Sequence, residues 1–124
     1  MKLITPELER RFSEAKEDTA LDQTLFLAKF LNPCGNEVWY ASEYDAKTNM
    51  CYGYVTGREY ADDWEFFSIP ELEARKLPFG LSIQRELYFE EITLEEVLNP
   101  IGLRGDFDFE KFKRNREQSE ELER

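Results

Sequence analysis

Clustered carboxylates are the side chains in this sequence whose spacing could support metal-assisted chemistry. Glu59, Asp62, Asp63 and Glu65 fall within seven residues of one another, and hard cations such as Mg²⁺ bind oxygen ligands. However, 27 of the 124 residues are acidic, so clusters of this kind also arise by chance. A solvated acidic surface is the favoured interpretation, and a divalent-metal enzyme that uses carboxylates such as Asp62 and Asp63 is the alternative.

Other catalytic chemistries lack their usual groups. The sequence contains no histidine, which is the commonest general base, the usual partner of a serine or cysteine nucleophile, and the commonest metal ligand. The six glycines form no phosphate-binding pattern. We therefore predict no catalytic residue, no metal ligand and no cofactor, and a binding protein is favoured over an enzyme.

Two separated cysteines, Cys34 and Cys51, bear on the cellular compartment. The start of the sequence lacks the apolar run of a secretory signal, and no segment is long enough to span a membrane. In such a protein the cysteines are expected to be free thiols rather than a disulfide, and ordinary thiols rather than nucleophiles. We expect a cytoplasmic protein.

The net charge is −11, from 16 basic and 27 acidic residues. Nucleic-acid affinity comes largely from Lys and Arg that neutralise phosphates, so direct nucleic-acid or membrane binding is not expected. The acidity is concentrated in residues 61–103, which hold 3 basic and 10 acidic residues. This favours a protein partner, such as a basic or DNA-binding host protein. The oligomeric state is left open.

Aromatic residues provide a second candidate binding feature. On the strands predicted below, alternation places Tyr40 with Tyr44 on one face, and likewise Tyr52 with Tyr54. Tyr and Trp dominate the energetics of protein interfaces, although rings that simply form the core and its rim are the favoured alternative. The combined binding candidates are Trp39, Tyr40, Tyr44, Tyr52, Tyr54, Tyr60, Asp62, Asp63, Glu90 and Glu91.

Helix signals occur near both ends of the chain. Thr5 and Pro6 suit the N-cap and first position of a helix that ends around residues 17–19. Further helices are predicted from Pro70, capped by Ser68 or Ile69, after the capping box at Thr93 up to Asn99, and in the charged tail, residues 105–124. Residues 111–116 form the basic cluster of this tail. Because acidic residues follow it at 117–121, a solvated helix is favoured over a phosphate-binding arm.

Strand signals fill the region between these helices. The predicted strands are residues 24–31, 38–44, 50–56, 64–68 and 86–91, with the last on a sheet edge. Together the elements predict an α+β fold, with a meander-like antiparallel sheet of four or five strands, an N-terminal helix, one or two short helices and a charged C-terminal helix. We expect a single domain over residues 1–104 and a helix or tail over residues 105–124.

Four segments of the chain resemble a known family. They read KLITPELERRF, WYASEY, FFSIPELE and LPFGLSIQRELYFEE, the last being the most specific. Over residues 2–98 the chain is similar to an uncharacterised bacterial family, the domain-of-unknown-function family 2958. The resemblance implies a small protein carried on plasmids, integrative elements or phages, and it supplies no activity and no catalytic residues.

These observations lead to three hypotheses of function. The first is a non-enzymatic acidic binding protein, an accessory of a mobile element that engages a host protein. One version is DNA mimicry, in which carboxylates occupy the phosphate-binding groove of a defence nuclease or another DNA-binding protein. The alternatives are the carboxylate metal enzyme described above and a structural or regulatory subunit of a complex.

Overall fold

The computed structural model describes residues 1–15 and 24–99. Its first helix, α1, spans Pro6–Glu14 and begins as predicted, because the Thr5 hydroxyl accepts a hydrogen bond from the Leu8 N–H at 3.1 Å and Pro6 occupies the first position. The predicted end of this helix at residues 17–19, the domain boundary at residue 104 and the charged C-terminal helix lie outside the described residues.

An antiparallel five-stranded sheet forms the centre of the protein. The described residues form seven strands in two sheets: β1 (Leu25–Phe26), β2 (Ala28–Leu31), β3 (Val38–Asp45), β4 (Met50–Thr56), β5 (Asp63–Ser68), β6 (Gln84–Arg85) and β7 (Ile92–Thr93). The order in the main sheet is β5-β4-β3-β2-β6, and β1 pairs with β7 in a separate two-stranded sheet. Strands β2 to β5 follow one another in a meander, which confirms the predicted α+β architecture and supplies the strand order.

Two strand predictions were wrong in detail. The single strand expected over residues 24–31 is divided at Leu27, whose N–H donates to the Ala41 carbonyl at 2.8 Å while β1 leaves to pair with β7. The strand expected over residues 86–91 does not form. The pairing with β2 ends at Glu86, whose N–H donates to the backbone carbonyl of Lys29. The chain then turns at Leu87 and Tyr88, which are both exposed, so residues 86–91 form no buried strand face.

Two short helices complete the described fold. Helix α2 spans Ile69–Ala74 and is capped by the Ser68 hydroxyl, which accepts a hydrogen bond from the Glu71 N–H at 3.2 Å. Helix α3 spans Leu94–Leu98 and begins directly after Thr93. Among the residues that the structure describes, no helix is long and apolar enough to cross a membrane.

The hydrophobic core lies on one face of the main sheet, which we call the core face. Strands contribute buried side chains such as Trp39, Cys51 and Val55. Phe12 of α1 and Leu72 of α2 belong to the same buried cluster. The opposite face of the sheet, which we call the outer face, carries Tyr40, Tyr52, Tyr54, Trp64 and Phe66 in register on β3, β4 and β5.

A β-bulge in β3 decides which side chains reach each face. The register between β3 and β4 shifts between Ala41 and Glu43, so that Ser42 is the extra residue. The Ser42 hydroxyl donates to the Tyr52 carbonyl at 3.1 Å. Gly53 lies opposite Ala41 in this region, and a Cβ atom at Gly53 would overlap the Tyr40 carbonyl oxygen. A residue without a side chain is therefore required at this position of β4.

We expect Gly53→Ala to lower the free energy of unfolding by about 2 kcal/mol or more, because the added methyl group forces the backbone of β3 away. Urea denaturation measures the effect. Gly35→Ala is the control with a smaller expected effect, since a Cβ atom there meets only the Asn32 side-chain amide, at 3.3 Å, and no backbone atom. Equal destabilisation by both changes would contradict the proposed close approach.

Candidate functional site

Four aromatic rings on the outer face form a continuous patch, which we call the aromatic surface: Tyr52, Tyr54, Trp64 and Phe66. In the register of β4 and β5, Tyr52 lies opposite Phe66, and Tyr54 lies opposite Trp64. The ring centroids of Tyr52 and Phe66 are 4.7 Å apart, and Tyr52 stacks on Trp64 at 5.6 Å with 14° between the ring planes. Aromatic pairs of this kind stabilise neighbouring strands.

The aromatic surface is open to solvent at its edge. Strand β5 is the outermost strand of the sheet, and 69% of the Phe66 surface is exposed. Tyr52, Tyr54 and Trp64 are half-buried. A contiguous exposed apolar patch that is bordered by polar groups is typical of an interaction surface.

Buried rings support the opposite end of this surface. Phe26 of β1 is fully buried, and its ring lies 5.5 Å from Trp64 and 5.6 Å from Tyr40. Tyr40 also contacts Phe89 at 6.4 Å, and the Lys29 ammonium lies 5.8 Å from the Tyr40 ring. Burial raises the pKa of Tyr40. The contact with Phe26 fixes the Trp64 ring, on which Tyr52 stacks, so these rings are held in place before any partner binds.

Two predicted acidic residues lie beside the aromatic surface. The pKa of Tyr54 is raised by burial and by the negative charges of Asp62 and Asp63. Both carboxylates are exposed, and each accepts a backbone hydrogen bond, Asp62 from Gly57 at 3.3 Å and Asp63 from Trp64 at 2.8 Å. The structure therefore brings Tyr52, Tyr54, Asp62 and Asp63 of the predicted set together.

The prediction that Tyr40 and Tyr44 share a face was wrong. Because of the bulge, Tyr40 lies opposite Tyr54 on the outer face, whereas Tyr44 lies opposite Cys51 on the core face. There the Tyr44 ring is 5.9 Å from Phe12, and its hydroxyl donates to an Asn49 side-chain oxygen at 2.7 Å. Tyr44 therefore packs against the core.

Other predicted binding residues lie apart from the aromatic surface. Trp39 is 5% exposed and belongs to the core. Tyr60 is exposed and packs on Arg58. Glu91 accepts two hydrogen bonds from the Arg11 guanidinium, at 2.7 and 2.8 Å, so its charge is paired. Glu90 is exposed beside it in the chain.

Sequence reasoning missed Trp64 and Phe66 as site residues. The predicted strand over residues 64–68 contains both, but the aromatic binding candidates comprise only Trp39 and five tyrosines. The two residues are two positions apart on β5, and the same alternation that pairs Tyr52 with Tyr54 places them on one face. This alternation was the signal that could have identified them.

Two arginines, Arg58 and Arg75, each contact an aromatic ring and a carboxylate. Arg75 lies 5.9 Å from the Trp39 ring and contacts Glu37 at 2.7 Å. Arg58 lies 4.3 Å from the Tyr60 ring and contacts Glu65 at 2.5 Å. Both arrangements combine a charge-assisted hydrogen bond with a cation–π contact.

The contact between Arg75 and Glu37 affects the pKa of the Glu37 carboxyl. Burial raises the pKa of this carboxyl, but hydrogen bonds from Arg75 and Asn32 outweigh that effect and hold the pKa below its ordinary value. A carboxyl with a lowered pKa stabilises the fold above its unfolded-state pKa, and this stabilisation is lost as the pH falls through the folded-state pKa.

We therefore expect Glu37→Gln to lower the free energy of unfolding at neutral pH, and the difference from the unaltered protein to shrink as the pH falls below about 4. Urea denaturation over this pH range measures the difference. A difference that keeps its full size in acid would contradict the ion-pair explanation.

A groove of about 250 Å³ lies where β3 turns into β4, next to the aromatic surface. Two carboxylate residues, Glu43 and Asp45, line it, and so do four aromatic residues: Phe12, Tyr44, Tyr52 and Phe66. The remaining lining residues are Thr48, Met50 and Cys51. None of these described lining residues is a lysine or an arginine.

The two thiols differ in accessibility. Cys34 is exposed and Cys51 is buried, and both are free. Burial raises the pKa of Cys51 to about 12, so its thiol stays protonated and unreactive near neutral pH.

We expect iodoacetamide at about pH 8 to alkylate Cys34 alone in the folded protein, and both cysteines after unfolding in urea, as read by mass spectrometry. Cys34→Ser should abolish alkylation of the folded protein. Rapid alkylation of folded Cys34→Ser would show that Cys51 is accessible.

The described residues hold no group of three or more histidine, cysteine, aspartate or glutamate side chains placed to bind a metal ion. Within the predicted carboxylate cluster, Glu65 is paired with Arg58. The described part of the chain therefore assembles no ligand set for the metal-enzyme hypothesis.

The fold and the site together define a small α+β protein that presents an aromatic surface on one side of an antiparallel sheet. The chain belongs to the family described as "Protein of unknown function (DUF2958)", whose model matches residues 3–98. This match confirms the resemblance seen in the sequence. No curated protein and no solved structure matches the chain.

Proposed function

We propose that this protein is a non-enzymatic binding protein that docks a basic protein partner on the aromatic surface. The observation that carries the proposal is the exposure of Phe66, at 69%, in direct contact with the Tyr52 ring. A large apolar ring on an edge strand costs solubility unless a partner covers it. Trp and Tyr beside it are the residue types that contribute most at interfaces.

Charge supports a basic partner. The whole chain has a net charge of −11, and the exposed Asp62 and Asp63 border the aromatic surface next to Tyr54. Complementary charges speed the encounter of two proteins and exclude acidic competitors. Desolvated aromatic rings then contribute to slow dissociation.

The DNA-mimic version of this proposal has weaker support than an ordinary protein interface. Glu37, Glu65 and Glu91 each pair with an arginine of this chain. Such pairing lowers the number of carboxylates that can replace phosphates. The aromatic surface, in contrast, has no counterpart in a phosphate backbone.

The cellular setting is part of the proposal. Carriage on plasmids, integrative elements or phages, which the sequence resemblance implies, would make a cytoplasmic host protein the natural partner. The partner would then be retained by the protein from a bacterial host lysate through the aromatic surface.

We expect Phe66→Ser to weaken partner binding at least about tenfold, because truncating an aromatic anchor of an interface costs about 2 kcal/mol or more and about 1.4 kcal/mol is tenfold in affinity. The immobilised protein is used to capture proteins from host lysate, and the affinity of the captured species is then measured by surface plasmon resonance.

Phe79→Ser is the matched control for this experiment. Phe79 is 96% exposed and lies in a single 3-10 turn, Pro78–Gly80, which precedes β6 at the opposite edge of the sheet from β5. A protein that is captured equally by the unaltered chain and by Phe66→Ser would contradict the proposal. Circular dichroism checks that both variants remain folded.

A further inference from the structure

The groove beside the aromatic surface has the composition of a cation site. It brings aromatic residues from α1, β3, β4 and β5 to the same place as the carboxylate of Asp45. Aromatic ring faces attract cations, and carboxylates accept their hydrogen bonds. Among the described residues that line the groove, there is no cation of the chain itself.

Elsewhere in this chain, two arginines occupy sites made of an aromatic ring and a carboxylate. Arg75 lies against Trp39 and Glu37, and Arg58 lies against Tyr60 and Glu65. In both cases an arginine side chain joins an aromatic ring to a carboxylate. Among its described lining residues, the groove offers aromatic rings and the Asp45 carboxylate, and none of these residues is an arginine.

We propose that the groove binds an arginine side chain of the protein partner. The guanidinium would lie against the rings of Tyr52 and Phe66 and donate hydrogen bonds to the carboxylate of Asp45. This inference rests on the proposed function, because the groove shares Tyr52 and Phe66 with the aromatic surface. It names the residue type of the partner that the surface recognises.

The dimensions and the chemistry both favour arginine. A volume of about 250 Å³ corresponds to roughly eight water molecules, at about 30 Å³ for each, which is ample for a guanidinium and its stem. The planar guanidinium stacks on rings and is more weakly hydrated than an ammonium group. Lys47 lies on the adjoining turn, where its backbone N–H donates to Asp45 at 2.9 Å, and its exposed side chain is not part of the lining.

Blocked arginine and blocked citrulline test the inference in the full-length protein. N-acetyl-arginine amide and N-acetyl-citrulline amide have nearly the same shape, but only the first carries a charge. We expect the arginine probe to shift the amide resonances of residues 43–52 and of Phe66 in two-dimensional NMR spectra, with millimolar affinity. The citrulline probe should bind at least about tenfold more weakly. Equal binding of both probes, or shifts confined to other parts of the protein, would overturn the inference.

Matched charge variants identify the carboxylate. Asp45→Asn keeps the side-chain oxygen that accepts from Lys47 and removes the charge, so it should weaken binding of the arginine probe several-fold. Glu59→Gln removes the same charge from the exposed chain after β4 and should leave that binding unchanged. Equal weakening by the two variants would show a general effect of net charge and would overturn the assignment to the groove.

The outcomes separate this inference from the proposed function. If the arginine probe does not bind, while Phe66→Ser still weakens partner binding, the groove inference falls and the proposed function stands. If the probe binds but Asp45→Asn leaves the affinity for the captured partner unchanged, the arginine does not come from that partner and the inference is overturned. Loss of both probe binding and partner affinity in Asp45→Asn supports it.

Discussion

The contact between Gly53 and the backbone of Tyr40 is the constraint on which the rest of the sheet depends. The bulge at Ser42 brings the β3 backbone so close to β4 that a side chain at Gly53 would overlap the Tyr40 carbonyl oxygen. On one side of the bulge, Tyr40 faces outward. On the other side, Tyr44 faces the core, because one extra residue reverses the alternation.

This reversal divides the aromatic residues between the core face and the outer face of the sheet. Rings on the core face, such as Phe12 and Tyr44, pack between the sheet and the helices. Rings on the outer face stack across β4 and β5 and stay partly exposed. Phe26 is the exception, since it is fully buried on the outer side and fixes both Trp64 and Tyr40. The exposed surface is thereby rigid, which lowers the entropic cost of binding.

Ion pairs with arginines neutralise some of the carboxylates of this acidic protein. Arg11, Arg58 and Arg75 each neutralise one carboxylate, and two of them also cover an aromatic ring. The carboxylates near the aromatic surface, Asp62 and Asp63, are bonded instead to backbone N–H groups and keep their exposure to solvent. A basic partner therefore meets negative charge and aromatic area in the same region.

The sequence by itself determined those elements whose signals are local. The cap at Thr5, the cap at Ser68 and the alternation of β4 depend on neighbours a few residues away, and all three appear in the structure. The sequence also identified Tyr52 and Tyr54 as residues of one face.

The tertiary structure alone decided which candidates share a surface. Trp39 is buried in the core, and the charge of Glu91 is paired with Arg11, which is 80 positions away in the chain. The division at Leu27 depends on the pairing of β1 with β7. The physical reason is that a bulge, a strand partner and an ion pair are all contacts between distant segments, and no local pattern of residue types encodes which segments will meet.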